Sequence, residues 1–498
     1  MSQLQKGAFY SYLYLILTNI GGILVTPYII RSLGNSEYGL YTLIGAFVGY
    51  LSILDLGLNN AIIRYVAQYK SQNDKKEQEN FLATSLLIYV VIGLIIGCAG
   101  LVMYFNVENL FGNSLSIKEL EKAKVMLLIL VGNIAITLPG GAFTGICNGY
   151  EHFIFPRLLS IIKYVLRTIL IIVILYNGAD ALGIVILDTL MNLLFILSAI
   201  YYVFKVLKVK VKLHQFELPF IKEIFGYSIW IFVFGLVYQF QWRTGQIILG
   251  VTANTITVAV YGVGVLLGVY FMTLGNVING LILPKVVKFV YNNASSKILT
   301  KEMIRISRVS LILLIYIYGA FLLFGKDFIY LWVGESYEAS WLVAILIMTA
   351  SIIPISQGYA HAVLEAKKMM RFKSLSTLFL SAFGIVIGGF LSKVYGINGM
   401  ICGIFGALIT LQFMVAIFYH KRIGIDMFKY LKEALFPFLL LLIIVFVSSY
   451  WLLQLFAVTW ALFVLKGIIY SLIFSVGLCF LLNKSEKDYV LKKINKNQ

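Results

Sequence analysis

Long apolar runs recur along the whole chain and constrain its fold more than any other feature. A helix needs about 20 predominantly apolar residues to cross a hydrocarbon core about 30 Å thick. Polar or Gly/Pro boundaries divide the apolar runs into about fourteen predicted spans: residues 7–30, 39–63, 81–105, 125–147, 156–176, 180–204, 224–250, 256–282, 305–325, 341–363, 373–394, 396–420, 434–456 and 459–482. Because the polar stretches between them are short, we predict an all-α integral membrane protein without a soluble catalytic domain.

The composition agrees with this prediction and excludes several functions. Of 498 residues, 60% are hydrophobic and 12% are charged, with a mean hydropathy of +0.92. The net charge of +18 is spread over short segments between spans rather than over one basic face, so no nucleic-acid partner is expected. The four cysteines form no CxxC pair, and no phosphate-binding glycine-lysine motif is present. The sequence therefore predicts neither a metal site, nor a cofactor, nor ATP hydrolysis.

Successive loops between membrane spans lie on opposite sides of the membrane. Lysine and arginine are distributed unequally between these two sides. With the predicted spans, 30 of these residues fall on one side and six on the other. Positive residues that flank membrane helices are retained in the cytoplasm. The sequence thus predicts a multi-pass protein of the plasma or inner membrane with both termini in the cytoplasm.

An internal repeat appears when the chain is shifted against itself by about 215 to 223 residues. Pro139 then matches Pro354, and Tyr38-Gly39 matches Tyr261-Gly262. Each half has six predicted helices, so the two lobes share one orientation and are related by a pseudo-two-fold axis along the membrane normal, with a translocation pathway between them. The predicted domains are an N-lobe (1–204), a cytoplasmic basic linker (205–222), a C-lobe (223–420), and two last helices with a basic cytoplasmic tail (421–498).

Two motifs carry a resemblance to a known family. They are R-x-L-G-x-x-E-Y-G-L-Y, from Arg31 to Tyr41, and L-D-L-G-L, from Leu54 to Leu58. With the span count and the repeat, the chain resembles the Wzx-type polysaccharide flippases, the polysaccharide biosynthesis proteins of the exporter superfamily that includes the MATE transporters. The resemblance implies a MATE-like fold and translocation of an undecaprenyl-diphosphate-linked oligosaccharide, for O-antigen, capsule or another surface polysaccharide, from the inner to the outer leaflet. It also implies membrane lipid, a polysaccharide polymerase and chain-length machinery as partners of a functional monomer.

The seventh span contains an unusual set of polar residues. Gln239, Arg243 and Gln246 are spaced by four and three residues, which would place them on one helical face. Because that face is unsuited to lipid, we predict a substrate-binding role, with Arg243 contacting a phosphate or an acidic sugar. The alternative is a structural arginine that bonds carbonyls of a neighbouring helix or reaches toward the interface.

Four asparagines within other spans are further candidates. An asparagine can hydrogen-bond a sugar hydroxyl without the desolvation cost of a full charge, which suits a glycan. The alternative is hydrogen bonding between helices. The predicted substrate-binding asparagines are Asn19, Asn59, Asn276 and Asn279.

The fifth and sixth spans form a short antiparallel hairpin that brings charged residues to matching depths. Counting from the turn places Arg167 level with Asp188, which predicts an intramembrane ion pair, and places Lys163 beside Asn192. The pair is interpreted as architectural or ion-coupling, whereas Lys163 lacks an acidic partner and is a second candidate anion ligand. Asp55 in the second motif either couples a cation to transport or has a structural role, in a pair with Arg64 or as a helix cap.

A flippase is thus the first functional hypothesis, and three alternatives remain. A MATE-type cation-coupled drug exporter would use acidic residues such as Asp55 and Asp188, and a lipid II flippase would differ only in its substrate. A membrane-embedded enzyme would need a constellation of catalytic side chains. The largest outer loop, Asn106 to Lys124, contains no histidine. We therefore predict a transporter that catalyses no reaction.

Overall fold

The protein is described here from a computed structural model, which covers residues 3–215, 232–279, 283–292, 294–367, 369–454 and 459–482. Within these ranges the regular secondary structure is entirely helical. The helices are α1 (Gln3–Ser52), α2 (Leu58–Ser71), α3 (Lys75–Phe111), α4 (Ile117–Gly149), α5 (Ile154–Tyr176), α6 (Ala181–Tyr201), α7 (232–242), α8 (Thr244–Thr252), α9 (Thr255–Asn279), α10 (Leu283–Tyr291), α11 (Ser296–Val333), α12 (Ser340–Ser356), α13 (Gly358–Ala366), α14 (Met370–Phe418), α15 (Met427–Tyr430), α16 (Phe436–Ser449) and α17 (Trp460–Leu481).

The predicted all-α membrane fold is confirmed. Among the described residues, ten helical segments are long and apolar enough to cross a membrane, or eleven if the bent pair α12 and α13 counts as one span. Two of the helices contain a non-helical glycine, Gly34 (φ 78°) in α1 and Gly396 (φ 53°) in α14, each where the sequence separates two predicted spans. The seventh predicted span lies partly outside the described residues. The count of fourteen therefore stays a prediction.

Two predicted spans are not the continuous helices that the sequence suggested. The span 39–63 is interrupted after α1, because Leu56 and Gly57 adopt left-handed backbone angles (φ 52° and 74°) before α2 begins. The span 341–363 is bent by 52° between α12 and α13. Pro354 lacks an amide hydrogen, which weakens the helix three residues before the bend. Hydropathy reports the length of an apolar run but not such breaks.

The chain divides into two compact units. Unit 1 contains Met1–Gly262 and Ser392–Gly396. In it α4 packs on α2, α3 and α6, while α1 packs on α5. A buried cluster of Ile171, Leu175 and Ile184 joins α5 to α6 and is covered by residues of α1, including Tyr41. The predicted lobe boundaries, at 204 and 223, stay predictions.

Unit 2 contains Val263–Leu391 and the described residues from Ile397 onward, and α11 is its central helix. The last two helices, α16 and α17, pack against α11. Arg308 of α11 donates to the carbonyl oxygens of Glu433 (2.9 Å) and Leu481 (3.0 Å). The sequence alone did not place these two helices, and the structure assigns them to unit 2.

Both units repeat a local detail at their predicted sixth helix. A π-helical turn follows α6 at Tyr202–Val206, and another follows α14 at Tyr419–Ile423. An aromatic stack lies at each turn, Phe155 on Tyr202 (3.7 Å between ring centroids) and Phe372 on Phe418 (4.4 Å). The separations between matching residues fall within the predicted repeat shift. The structure therefore supports an internal duplication.

Candidate functional site

A cavity of about 180 Å³ lies between α4, α5 and α6 of unit 1. Lys163 and Asn192 are two of its lining residues, and Thr137, Thr144 and Ser160 add hydroxyl groups. Each hydroxyl donates to a carbonyl of its own helix, for example Thr137 to Asn133 (2.6 Å). Their oxygen lone pairs therefore remain available as acceptors. The cavity thus combines one ammonium group with neutral hydrogen-bonding groups.

Lys163 is the charged group of this cavity. Its ammonium donates to the side-chain oxygen of Asn192, whose amide nitrogen donates in turn to Asn133 (2.8 Å). In the described part of the chain no carboxylate lies within ion-pair distance of Lys163. An ammonium has three N–H donors, and one is used in this contact. The arrangement therefore leaves Lys163 able to bind an anion, and its proposed role as a substrate ligand stays a prediction.

The predicted ion pair between Arg167 and Asp188 is present. The guanidinium makes two bonds to the carboxylate, at 2.5 and 2.8 Å, and both side chains are partly buried. The Tyr41 hydroxyl is close enough to both groups to interact with them electrostatically. The bidentate geometry fixes the two helices and satisfies both charges. Neither an architectural nor an ion-coupling role is decided by this geometry.

Arg243 lies near the same cluster, since Tyr41 is also within electrostatic reach of its guanidinium. The backbone is distorted at Arg243 (φ −114°), between α7 and α8. The helical hydrogen bonds continue through it, because the Arg243 amide donates to the Gln239 carbonyl (2.8 Å) and the Ile247 amide donates to the Arg243 carbonyl (3.4 Å). Gln239 and Gln246 are buried, at 7% and 3% exposure. Their side-chain oxygens have no hydrogen-bond partner among the described residues. A common helical face for these three side chains, and their contact with substrate, stay predictions.

Asp55 caps the break between α1 and α2. Its carboxylate accepts from the Tyr89 hydroxyl (2.8 Å) and from the backbone amides of Gly57 and Asn59. The left-handed Leu56 and Gly57 turn these amides toward the carboxylate. This geometry fits the structural alternative, and cation coupling by Asp55 stays a prediction.

The candidate asparagines contact other protein groups, two of them only within their own helix. Asn19 donates to the carbonyl of Leu15 (2.7 Å), and Asn276 donates to that of Met272 (2.9 Å), each four residues back in its own helix. Asn279 donates to the Ile355 carbonyl (3.0 Å) beside the bend between α12 and α13. The Asn59 side-chain oxygen is buried against Gly145 without a hydrogen-bond partner among the described residues. Sugar contacts by these residues stay predictions.

The first motif holds the broken region of α1 to its neighbours in unit 1. Glu37 pairs with Lys122 of α4 and accepts from the backbone amide of Ala181 at the start of α6 (3.4 Å). Ser36 donates to Glu119 of α4 (2.5 Å). From the sequence, this motif indicated only the family resemblance, and its structural role was not predicted. Its acidic, hydroxyl and glycine residues are typical of such contacts, but their partners are distant in sequence.

Lys122 also pairs with Asp180, and this pair predicts how the stability of the protein depends on pH. Partial burial opposes ionisation of Asp180, but Lys122 at 2.8 Å and the Gly183 amide outweigh it and hold the pKa of Asp180 below its ordinary value. A carboxyl with a lowered folded-state pKa contributes stability above its unfolded pKa of about 4 and loses that stability as the pH falls through the folded pKa. We expect Lys122→Met to flatten the acid dependence of the thermal midpoint between about pH 5 and 3. Equal acid dependence in the wild type and the variant would contradict this.

Together these features define a multi-pass α-helical membrane protein, and solved structures share its fold. The lipid II flippase MurJ, in an inward closed conformation, aligns with a TM-score of 0.69 over 95% of this chain and 98% of that chain, at 16% identity. An inward-facing multidrug resistance MATE family transporter of the MOP superfamily aligns with a TM-score of 0.64 over 82% of this chain and 94% of that chain, also at 16% identity. The MATE-like fold is therefore confirmed.

The sequence also defines the family. Residues 4–289 match the polysaccharide biosynthesis protein family, and the chain belongs to it. A putative O-antigen transporter of Shigella flexneri is 26% identical over 130 residues, 25% of this chain and 29% of that protein. The uncharacterized membrane protein EpsK of Bacillus subtilis (strain 168) is 25% identical over 118 residues, 23% of this chain and 22% of that protein. The alignments thus span less than a third of either curated relative.

Proposed function

We propose that the protein is a flippase for undecaprenyl-diphosphate-linked oligosaccharide repeat units. It carries these units from the inner to the outer leaflet by alternating access, for O-antigen, capsule or another surface polysaccharide. The similarity to a putative O-antigen transporter and the family of polysaccharide biosynthesis proteins support this class of substrate. The protein acts as a monomer on its substrate, and a polymerase with chain-length machinery uses the product.

The single observation that carries the proposal is Lys163 at the wall of a cavity within the membrane spans. Its contact there is the neutral Asn192 side chain, so the positive charge is available to a diphosphate. Moving a diphosphate through an apolar layer is costly unless a cation accompanies it. The neighbouring hydroxyl oxygens offer acceptors for sugar hydroxyls. Arg243, which interacts electrostatically with Tyr41 beside the Arg167–Asp188 pair, is proposed as a second cation for the substrate.

The acidic residues favour this proposal over a cation-coupled drug exporter. An exporter needs carboxylates that are free to bind a cation. The Asp188 carboxylate instead forms a bidentate ion pair with Arg167, and the Asp55 carboxylate accepts hydrogen bonds from Tyr89 and two backbone amides. A lipid II flippase would use the same cationic groups, because lipid II also carries a diphosphate. The glycan therefore has to be identified by experiment.

The test is a gene deletion in the native host, complemented with variants of matched expression. We expect the deletion to accumulate undecaprenyl-linked oligosaccharide in the cytoplasmic leaflet and the wild-type gene to clear it. Lys163→Gln removes a charge-assisted hydrogen bond worth about 1.5 to 3 kcal/mol, so transport at low substrate should fall about 10-fold or more. Arg157→Gln is the matched control, because Arg157 is an exposed basic residue of the same helix.

Each outcome of this experiment decides a separate point. The flippase and its anion ligand are both supported if the deletion strain accumulates the lipid-linked oligosaccharide, and if the wild type and Arg157→Gln clear it but Lys163→Gln does not. Full activity of Lys163→Gln would remove Lys163 from the substrate site while leaving the flippase. Unchanged surface glycan together with new drug sensitivity in the deletion strain would overturn the flippase and favour the exporter.

A further inference from the structure

Unit 2 contains a lysine whose hydrogen-bond partners among the described residues are both neutral. Lys373 lies in the first turn of α14, where the eleventh predicted span begins. Its ammonium donates to the Nδ1 atom of His361 in α13 (3.0 Å) and to the hydroxyl of Tyr419 in the π-helical turn (3.2 Å). Because an ammonium can only donate, His361 Nδ1 is the acceptor and the imidazole is neutral. Within the described ranges no carboxylate lies at ion-pair distance from Lys373.

This arrangement differs from that of Lys466, a buried lysine of the same unit. Lys466 has Asp327 at 2.5 Å, as charges inside membrane proteins usually have a partner. Lys373 is half-buried, and two of its three N–H donors are directed to neutral groups. Its charge therefore lacks a counter-ion in the described part of the protein, and its third N–H has no hydrogen-bond partner there.

The surroundings of Lys373 indicate what kind of anion fits. Phe372 and Phe418 stack at 4.4 Å, which brings the start of α14 next to the turn that follows its end. Exposed basic residues adjoin this contact in sequence, and the exposed ring of Phe428 (73% exposure) packs on His420 of the same π-helical turn, at 5.4 Å between ring centroids. Basic side chains mixed with exposed aromatic rings are typical of the headgroup level of a bilayer. The flanking basic residues are Arg371, Lys421 and Arg422.

We propose that this end of unit 2 is a binding site for an anionic phospholipid, whose phosphate is the counter-ion of Lys373. The phosphate accepts the free N–H of Lys373, the flanking guanidinium and ammonium groups add long-range attraction, and the acyl chains lie along the exposed apolar rings. Inorganic phosphate offers the same anion without the chains. The proposal does not depend on what the protein transports.

The test uses the purified full-length protein in a neutral detergent. Bound lipid is counted by native mass spectrometry, and the thermal midpoint is measured, after addition of phosphatidylglycerol or phosphatidylcholine. We expect phosphatidylglycerol to bind about 10-fold more tightly, and Lys373→Gln to lose most of that preference, since each basic group near a membrane surface changes lipid affinity about fivefold. Lys373→Arg should keep the preference.

Two further variants keep the test decisive if Lys373→Gln does not fold. The double variant Lys421→Gln/Arg422→Gln alters only exposed side chains and should weaken the preference. Lys432→Gln, another exposed basic change in unit 2, is the control and should leave it unchanged. An unchanged preference in the double variant, or in a folded Lys373→Gln variant, would overturn the proposal.

Two added ligands distinguish the phospholipid from other sources of phosphate. Inorganic phosphate at millimolar concentration should neither raise the thermal midpoint nor displace phosphatidylglycerol, and if it does both, the site binds free anions and the lipid assignment is wrong. Undecaprenyl diphosphate should leave phosphatidylglycerol bound. Its displacement of that lipid would assign the site to the transported headgroup and overturn the proposal.

Discussion

Replacing Asp327 by asparagine is expected to lower the free energy of unfolding by about 3 to 5 kcal/mol, because a buried charge that loses its partner is strongly destabilising. Lys466 is 1% exposed and lies 2.5 Å from Asp327, with its ammonium 5.0 Å from the ring centre of Phe324. Asparagine keeps the size of the side chain and removes its charge. The measurement is the unfolding midpoint in detergent, together with the fraction of monodisperse protein.

Two variants control for this prediction. Asp327→Asn combined with Lys466→Met removes both charges and should recover most of the stability, because replacing a whole buried pair is often neutral. Glu338→Gln breaks the neighbouring pair with Lys326, whose side chains are 58% and 52% exposed, and should change the free energy of unfolding by about 1 kcal/mol or less. If Asp327→Asn were as mild as Glu338→Gln, Lys466 would not need its counter-charge.

Gly39→Ala is expected to have the second largest effect. A Cβ atom at Gly39 would lie 1.9 Å from the carbonyl oxygen of Thr255, a backbone atom that cannot move aside as a side chain would. Overpacking of this kind costs about 1 to 3 kcal/mol and sometimes more. We expect the upper end of that range, seen as a lower yield of folded protein and a lower thermal midpoint.

Gly45→Ala in the same helix is the matched control. A Cβ atom at Gly45 would have nothing within 4 Å. Alanine is favoured over glycine within a helix by about 1 kcal/mol, so this variant should be neutral or slightly more stable. Equal behaviour of the two variants would contradict the close approach of α1 to α9 at Thr255.

The charged hairpin of α5 and α6 was predictable from the sequence. A short turn joins the two helices, and each residue rises by about 1.5 Å along a helix, so counting from the turn gives depth. Arg167 and Asp188 form the ion pair that this counting predicted, and Lys163 donates a hydrogen bond to Asn192. The prediction worked because both partners belong to adjacent helices whose register the turn fixes.

The Lys466 contact could not be predicted in this way. Asp327 is 139 residues away in sequence, and no turn fixes the register between α11 and α17. The predicted span 305–325 also ended before Asp327, whereas α11 continues to Val333. Long-range pairs of this kind depend on which helices pack together, which hydropathy does not report.

The sequence by itself determined the membrane environment, the α-helical class, the internal repeat and the family resemblance. These follow from local composition and spacing, because a bilayer requires apolar runs of a minimum length with internally satisfied backbones. Only the tertiary structure decided that Glu37 holds α4 and α6, that Lys466 lies against Asp327, and that Lys373 has neutral partners. Whether a buried charge is satisfied or free to bind a ligand depends on groups that packing brings together from distant parts of the chain.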